Sequence, residues 1–134
     1  MDLSSAFLAE RHELLRFRMC SLIEAKNSDV LTIRAALQAF CEALEAHLAL
    51  DVHLGYRLLM RERDVSRRIS IVEMLEEQGR FSIHFDTFVR RWRRAENAAL
   101  RGDAFSDDDE SIVALLMHRI KTEQRVVALV GDVA

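Results

Sequence analysis

The sequence contains no proline and only four glycines among its 134 residues. Because tight turns between strands depend on these two residue types, their scarcity argues against a protein built from many short strands. No apolar run approaches the ~20 residues of a membrane-spanning helix, and no charged stretch followed by an apolar stretch marks a signal peptide. The net charge of −3 gives no general reason to expect nucleic acid or an acidic membrane as a partner. We therefore expect a cytoplasmic protein that binds neither.

Cysteine is also scarce, since the chain has only Cys20 and Cys41. Each lies inside an apolar helical pattern. In a cytoplasmic protein such cysteines are typical of reduced core residues and not of a disulfide. We expect both thiols to be free and buried.

Hydrophobic residues make up 50% of the chain and charged residues 31%, and apolar residues recur at spacings of three and four. This periodicity predicts helices over about 4–26, 29–62, 65–100 and 107–130. Ser28 or Asp29 can cap the second helix and Ser106 the fourth, while Gly131 can end the fourth. We predict an all-α fold, an antiparallel up-down four-helix bundle forming a single domain over residues 1–134.

The apolar stripe of the third helix changes phase near Gly79. The residues before it that share a face are Ile69, Val72 and Leu75, and those after it are Phe81, Phe85, Phe88 and Trp92. A glycine at a change of phase is typical of a kink or break. We therefore expect the third helix to bend or break at Gly79.

The second helix carries two polar residues inside its apolar stripe. His47 and Asp51 are four residues apart and face the same way as Leu44 and Leu54. Burying such groups without partners costs on the order of 2–7 kcal/mol for a neutral group and more for a charge. The pair either forms a hydrogen bond within the helix or belongs to a metal site.

The other three predicted helices each carry a histidine: His12 on the first, His84 on the third and His118 on the fourth. The fourth also carries Glu123, which shares a face with Ile112 and Leu116. Imidazole and carboxylate groups together suit non-haem iron or manganese in a helical bundle.

Four segments, "ERHELL", "HLALDVHLGY", "RFSIHFDTF" and "HRIKTE", occur in the order of the motifs of the hemerythrin-like (HHE cation-binding) family, which the sequence resembles. In that family a four-helix bundle holds two irons through a His on the first helix, His-x3-Glu on the second, His-x3-His on the third and His-x4-Asp on the fourth. Asp51 stands where the family has Glu, and Phe88 stands at the second histidine of the third helix. The resemblance implies six metal ligands: His12, His47, Asp51, His84, His118 and Glu123.

The resemblance also implies a function. Non-haem iron, as a di-iron or a mononuclear centre, would bind or sense O2 or NO, or the protein would handle iron. Organic substrate catalysis is not expected, because the sequence contains no nucleophile–base pair or phosphate loop.

Helical geometry leaves a metal-free alternative open. At roughly 100° per residue, His84 and His118 fall on the flanks of their stripes, and Arg11 lies nearer the centre of its stripe than His12. Arg119 stands four residues before Glu123. Arginines near the cavity would oppose a dication. A di-iron site, a single metal or a metal-free bundle that acts as a protein-interaction or regulatory module all remain consistent with the sequence.

The segment "RRWRR" at 90–94 surrounds one tryptophan with four arginines. Helical spacing puts Trp92 in the core stripe and the arginines on the solvated side. We expect a solvated face or a salt-bridge belt, with an acidic partner protein as the alternative and nucleic acid the least favoured.

Overall fold

Four long helices and one single-turn helix form the fold in the computed structural model, which describes residues 3–131. They are α1 (Ser5–Ala25), α2 (Val30–Arg61), α3 (Val65–Trp92), α4 (Asn97–Leu100) and α5 (Asp103–Val130). The prediction of an all-α protein is confirmed. Within the described range, no helix is both long enough and apolar enough to cross a membrane.

Polar side chains define the starts of three helices. Ser4, Asp29 and Asp64 accept hydrogen bonds from backbone N–H groups of the first turns of α1, α2 and α3. Each bond satisfies a donor that the helix itself leaves without a partner. Of the two residues predicted to cap α2, Asp29 is the one that does so, through the N–H of Thr32 at 2.9 Å.

The predicted break at Gly79 is wrong, because α3 runs through this residue as one helix. The apolar residues before Gly79 were also assigned to the wrong face: Ile69 and Val72 are exposed. The buried positions of α3 form one stripe at spacings of three and four, namely Ile71, Met74, Gln78, Phe81, Phe85, Phe88 and Trp92. The polar Gln78 occupies an inward position, and this makes the apolar pattern look as if it changed phase.

Helix α5 begins one turn earlier than predicted. Gly102, not Ser106, is its N-cap, and Asp103 provides the acidic residue of the first turn. Phe105 lies at 1% exposure, with ring centroids 5.2 Å from Trp92 and 6.3 Å from Phe88. Burial of this ring draws residues 103–106 into the helix. At the other end Gly131 is the C-cap, as predicted, with a φ of 82° that favours glycine.

The long helices pack in a bundle-like order. Helix α1 packs on α2 and α5, and α3 packs on α2 and α5. Helix α2 lies close to α3 at Gly55, where an added Cβ would stand 2.2 Å from a methyl carbon of Leu75. A glycine is therefore required at this contact unless Leu75 moves.

The arginines of 90–94 form the predicted salt-bridge belt. Trp92 is buried, and its Nε1–H donates to Asp108 at 2.8 Å. Three of the four arginines pair with acids of the same chain: Arg90 with Asp86, Arg91 with Asp108, and Arg93 with Glu45. The segment therefore ties α3 to α2 and α5.

The two cysteines are both free but differ in exposure. Cys41 is fully buried, as expected. Cys20 is exposed, so the expectation that it lies in the core is wrong; it falls next to Met19, which takes the inward position of that turn.

Thiol labelling at mildly alkaline pH is expected to modify Cys20 rapidly and Cys41 only after unfolding. Burial raises the pKa of the Cys41 thiol to about 11, and the thiolate is the reactive form. Mass spectrometry after timed alkylation should find one label per native chain and two per denatured chain. The Cys20→Ser variant should take up no label while folded, and rapid labelling of that variant would contradict the burial of Cys41.

Candidate metal site

A layer of polar side chains divides the buried core into two apolar clusters. One cluster contains Phe40 and Phe88, and the other contains Leu54 and Met74. Along each long helix, a few buried polar positions fall between the residues of these two clusters. The polar layer consists of His12 from α1, His47 and Asp51 from α2, Gln78 from α3, and Arg119, Thr122 and Glu123 from α5.

The polar layer is built by ordinary helix periodicity. In each helix these residues take inward positions that would otherwise carry an apolar side chain. The buried positions that follow spacings of three and four are Leu8, His12 and Leu15 in α1; Leu44, His47, Asp51 and Leu54 in α2; Met74, Gln78 and Phe81 in α3; and Leu116, Arg119, Glu123 and Val126 in α5. The same spacing that buries the apolar stripes thus brings polar groups from all four long helices together.

Glu123 is the centre of the layer. Its Oε2 lies 2.6 Å from Nε2 of His12 and 2.9 Å from Nε2 of His47. All three side chains are buried, and one donor atom from each lies within 4.8 Å of the others. Two imidazoles and a carboxylate therefore converge on one small volume.

Asp51 adds a second carboxylate beside this group. Its Oδ1 lies 3.2 Å from Nε2 of His47. Both of its oxygens are buried and have no hydrogen-bond partner within residues 3–131. A buried ionised carboxylate without hydrogen bonds is costly, and either a proton or a cation would offset that cost.

The pKa values in the polar layer are shifted because two acids, Asp51 and Glu123, are buried next to each other. Burial and the charge of Glu123 raise the pKa of Asp51 well above its usual value. Burial also opposes ionisation of Glu123, but the neighbouring Asp51, His12 and His47 outweigh it and hold the pKa of Glu123 well below its usual range. Burial lowers the pKa of His47, yet its contacts with Asp51 and Glu123 outweigh this and raise it to about 10. Metal binding would therefore release protons.

Arg119 brings a guanidinium into the same layer at 3% exposure. Its Nη1–H donates to the backbone carbonyl of Met74 at 2.9 Å. Its Nη2 lies 3.6 Å from Glu123 Oε1 and 3.9 Å from Asp51 Oδ2. The arginine is thus a counter-charge for the two acids, at distances longer than a hydrogen bond.

The His and Glu cluster could hold a metal ion. Ligand atoms around a tetrahedral ion with bonds of ~2.1 Å lie roughly 3.4 Å apart. Here Nε2 of His47 lies 2.9–3.3 Å from oxygens of Asp51 and Glu123, Nε2 of His12 lies 2.6 Å from Glu123, and the ligand atoms of His12, His47 and Glu123 all lie within 4.8 Å of one another. Nδ1 of His12 and of His47 has no hydrogen-bond partner within the described residues, so the outer hydrogen bonds that usually orient such ligands are missing.

A cavity of about 220 Å³ reaches the layer between α1 and α5. His12 and Glu123 lie in its wall, together with the small residues Ser5, Ala9 and Ala128. The cavity thus approaches two of the converging ligand residues, which are themselves only 1–2% exposed.

Two of the predicted ligands lie elsewhere. His84 and His118 are exposed on the outer side of α3 and α5, and His118 Nε2 lies 3.9 Å from Glu77 Oε1. Their flank positions therefore turn them outward. The prediction that Arg11 lies nearer the centre of the α1 stripe than His12 is wrong. His12 takes the inward position at 2% exposure, while Arg11 is only half-buried.

Sequence reasoning missed Gln78 as a member of the layer. Its Nε2–H donates to the backbone carbonyl of Leu48 at 3.3 Å. The spacing does indicate an inward position, since Gln78 lies between the buried residues Met74 and Phe81 at helical spacing. It was overlooked because the helix was expected to bend or break at Gly79. Arg119 was recognised from its spacing to Glu123, although not its bond to Met74.

Compared with known proteins, the chain matches no family model, no curated protein and no solved structure. What the site can do must be argued from its own residues: a buried His and Glu cluster that could hold a metal ion.

Proposed function

We propose that the protein binds one non-haem metal ion within an antiparallel hemerythrin-like four-helix bundle, and that this ion is iron. The observation that carries the proposal is the buried convergence of His12, His47 and Glu123. Two imidazoles and one carboxylate, with room for further ligands, are typical of ferrous sites that keep coordination positions open.

The hemerythrin-like assignment rests on the order of the motifs along four long helices. His12, His47 and Asp51 occupy positions of that family's pattern and lie in the polar layer. The departures are on α3 and α5, where Gln78 and Arg119 face the layer in place of imidazoles. Those departures bear on how many metal ions the site can hold.

The residues favour a mononuclear centre over a di-iron centre. Two irons would need further ligands from α3 and α5 besides Glu123, but His84 and His118 are exposed. The guanidinium of Arg119 lies beside the carboxylates and carries positive charge of its own. A second dication next to it would be repelled.

The chemistry supplied by bound ferrous iron is reversible or reactive binding of a small diatomic molecule, O2 or NO. The chain's own residues provide the ligands, a buried setting and a cavity that approaches the ligands between α1 and α5. Glu123 is shared between both imidazoles, and Asp51 completes the charge of the site. Gas binding, gas sensing and iron handling all use this arrangement.

Protein purified from iron-supplied cells is expected to contain about one iron per chain. Metal analysis should give this ratio, and NO should add absorption bands to the reduced protein. His12→Gln should lose the iron, whereas the matched controls His84→Gln and His118→Gln should retain it, because both of those imidazoles are exposed. An iron-free protein that takes up no iron when it is added anaerobically would contradict the proposal.

Arg119 supports one alternative, a metal-free regulatory module that acts by contacting a protein partner. In that case Arg119 replaces the metal as counter-ion for Asp51 and Glu123. The alternative predicts thermal unfolding that is insensitive to added iron and to chelators. The metal-binding proposal predicts a melting temperature that rises with iron, since a ligand that binds only the folded state stabilises it.

A further inference from the structure

A second cavity, of about 250 Å³, lies between α3 and α5 on the outer side of the polar layer. Four of the side chains that line it are basic or can become so: Arg80 and His84 from α3, and His118 and Arg119 from α5. Glu77 is the acid among the lining residues. Two of the histidines outside the cluster of His12, His47 and Glu123, namely His84 and His118, therefore line the same cavity.

Arg119 is the buried charged residue in the wall of this cavity. It is 3% exposed, and its hydrogen bond goes to a neutral group, the carbonyl of Met74. Its Nε and Nη2 are buried and have no hydrogen-bond partner within the described part of the chain. The nearest carboxylate oxygens, at 3.6 and 3.9 Å, are too far for hydrogen bonds. A buried guanidinium with two nitrogens whose N–H groups donate to no acceptor needs one.

The rim of the cavity offers more unused donors. Over residues 3–131, Arg80 and His84 form no ion pair or hydrogen bond, and both are exposed. The carboxylate of Glu77 lies 3.9 Å from His118 and pairs with neither arginine. In the cavity wall two guanidinium charges face one carboxylate, while the carboxylates of Glu123 and Asp51 lie behind Arg119 in the polar layer. The wall therefore carries more positive than negative charge, and this favours an anion over a cation.

We propose that this cavity binds a phosphate group, either free or on a small molecule. A guanidinium presents its N–H groups as a planar fork that matches the oxygens of phosphate, and such charge-assisted bonds are the strong ones. Donors from α3 and α5 approach from two sides, which suits a tetrahedral anion. The proposal does not depend on metal binding at His12 and His47, so each can fail without the other.

Titration of isotope-labelled protein with inorganic phosphate is expected to shift the backbone NMR signals of residues around Arg80, His84 and His118. Sodium chloride at matched ionic strength corrects for general screening. Arg80→Gln should weaken phosphate binding roughly tenfold, the effect of losing one charge-assisted contact. Arg80 is exposed, so this change is not expected to disturb the fold.

Arg94→Gln is the matched control, because it removes the same charge from an exposed position just beyond α3 and outside the cavity. It should leave phosphate affinity within about twofold. The proposal is overturned if phosphate shifts no signals at the cavity beyond those moved by chloride. Equal weakening by Arg80→Gln and Arg94→Gln would also overturn it, because binding would then follow net charge and not this site.

Discussion

Glu123→Gln is expected to lower the free energy of unfolding of the metal-free protein by about 3–5 kcal/mol, the cost of removing one partner from a buried ionic group. Glu123 is 1% exposed and accepts from His12 and His47. The amide has nearly the same shape, so the loss is one of charge. His47 and Arg119 would then remain buried with less negative charge to offset theirs. Urea unfolding in the presence of a chelator measures the difference.

Glu110→Gln is the control for this change. It makes the same substitution on α5 at an exposed position, and it should alter stability by no more than about 0.5 kcal/mol. If Glu123→Gln were as mild as Glu110→Gln, Glu123 would not be the centre of the polar layer. With metal present, Glu123→Gln should also weaken binding roughly a hundredfold or more, since even the loss of outer-shell partners costs 10–100-fold.

Arg119→Met is expected to strengthen the binding of a divalent metal by roughly tenfold or more. The guanidinium lies 3.6 Å from Glu123 and 3.9 Å from Asp51. At an effective dielectric constant of 20, the repulsion energy between two unit charges about 5 Å apart is ~3 kcal/mol. A tenfold change in affinity requires only ~1.4 kcal/mol. Methionine fills most of the volume without the charge. Calorimetric titration in phosphate-free buffer compares the variant with the wild type.

Arg125→Met removes an arginine one and a half turns further along α5, where the side chain is exposed. Its effect on metal affinity should stay within about twofold, because solvent screens exposed charges. If Arg119→Met abolished metal binding, the guanidinium would be organising the ligands and not opposing the ion. That result would contradict the charge argument for a single-metal site.

Much of the polar layer could be predicted from periodicity alone. His47, Asp51 and Glu123 each continue an apolar stripe at spacings of three and four, and all three are buried. The stripe of α2 is long and uninterrupted, so its inward face was unambiguous. Periodicity does not show that these residues lie at the same height in the bundle, because the relative height of neighbouring helices depends on how their side chains pack.

The remaining differences have local causes. In α1 the stripe is short near its start, so a small error in helix rotation placed Arg11 nearer the centre of the stripe than His12. In α3 the polar Gln78 interrupted the apolar pattern, and Gly79 next to it then looked like a break. His84 and His118 lie on the flanks of the stripes of α3 and α5, so their imidazoles point outward and not into the polar layer. Burial of Phe105 extended α5 by a turn that its acidic residues alone did not require.

Anomalous diffraction from crystals grown with ferrous iron or cobalt would locate the proposed metal ion. We expect one anomalous peak per chain, within bonding distance of Nε2 of His12, Nε2 of His47 and a carboxylate oxygen of Glu123. Two peaks in the polar layer would contradict the single-metal site. A layer without any peak, with Arg119 still beside Asp51 and Glu123, would contradict metal binding there altogether.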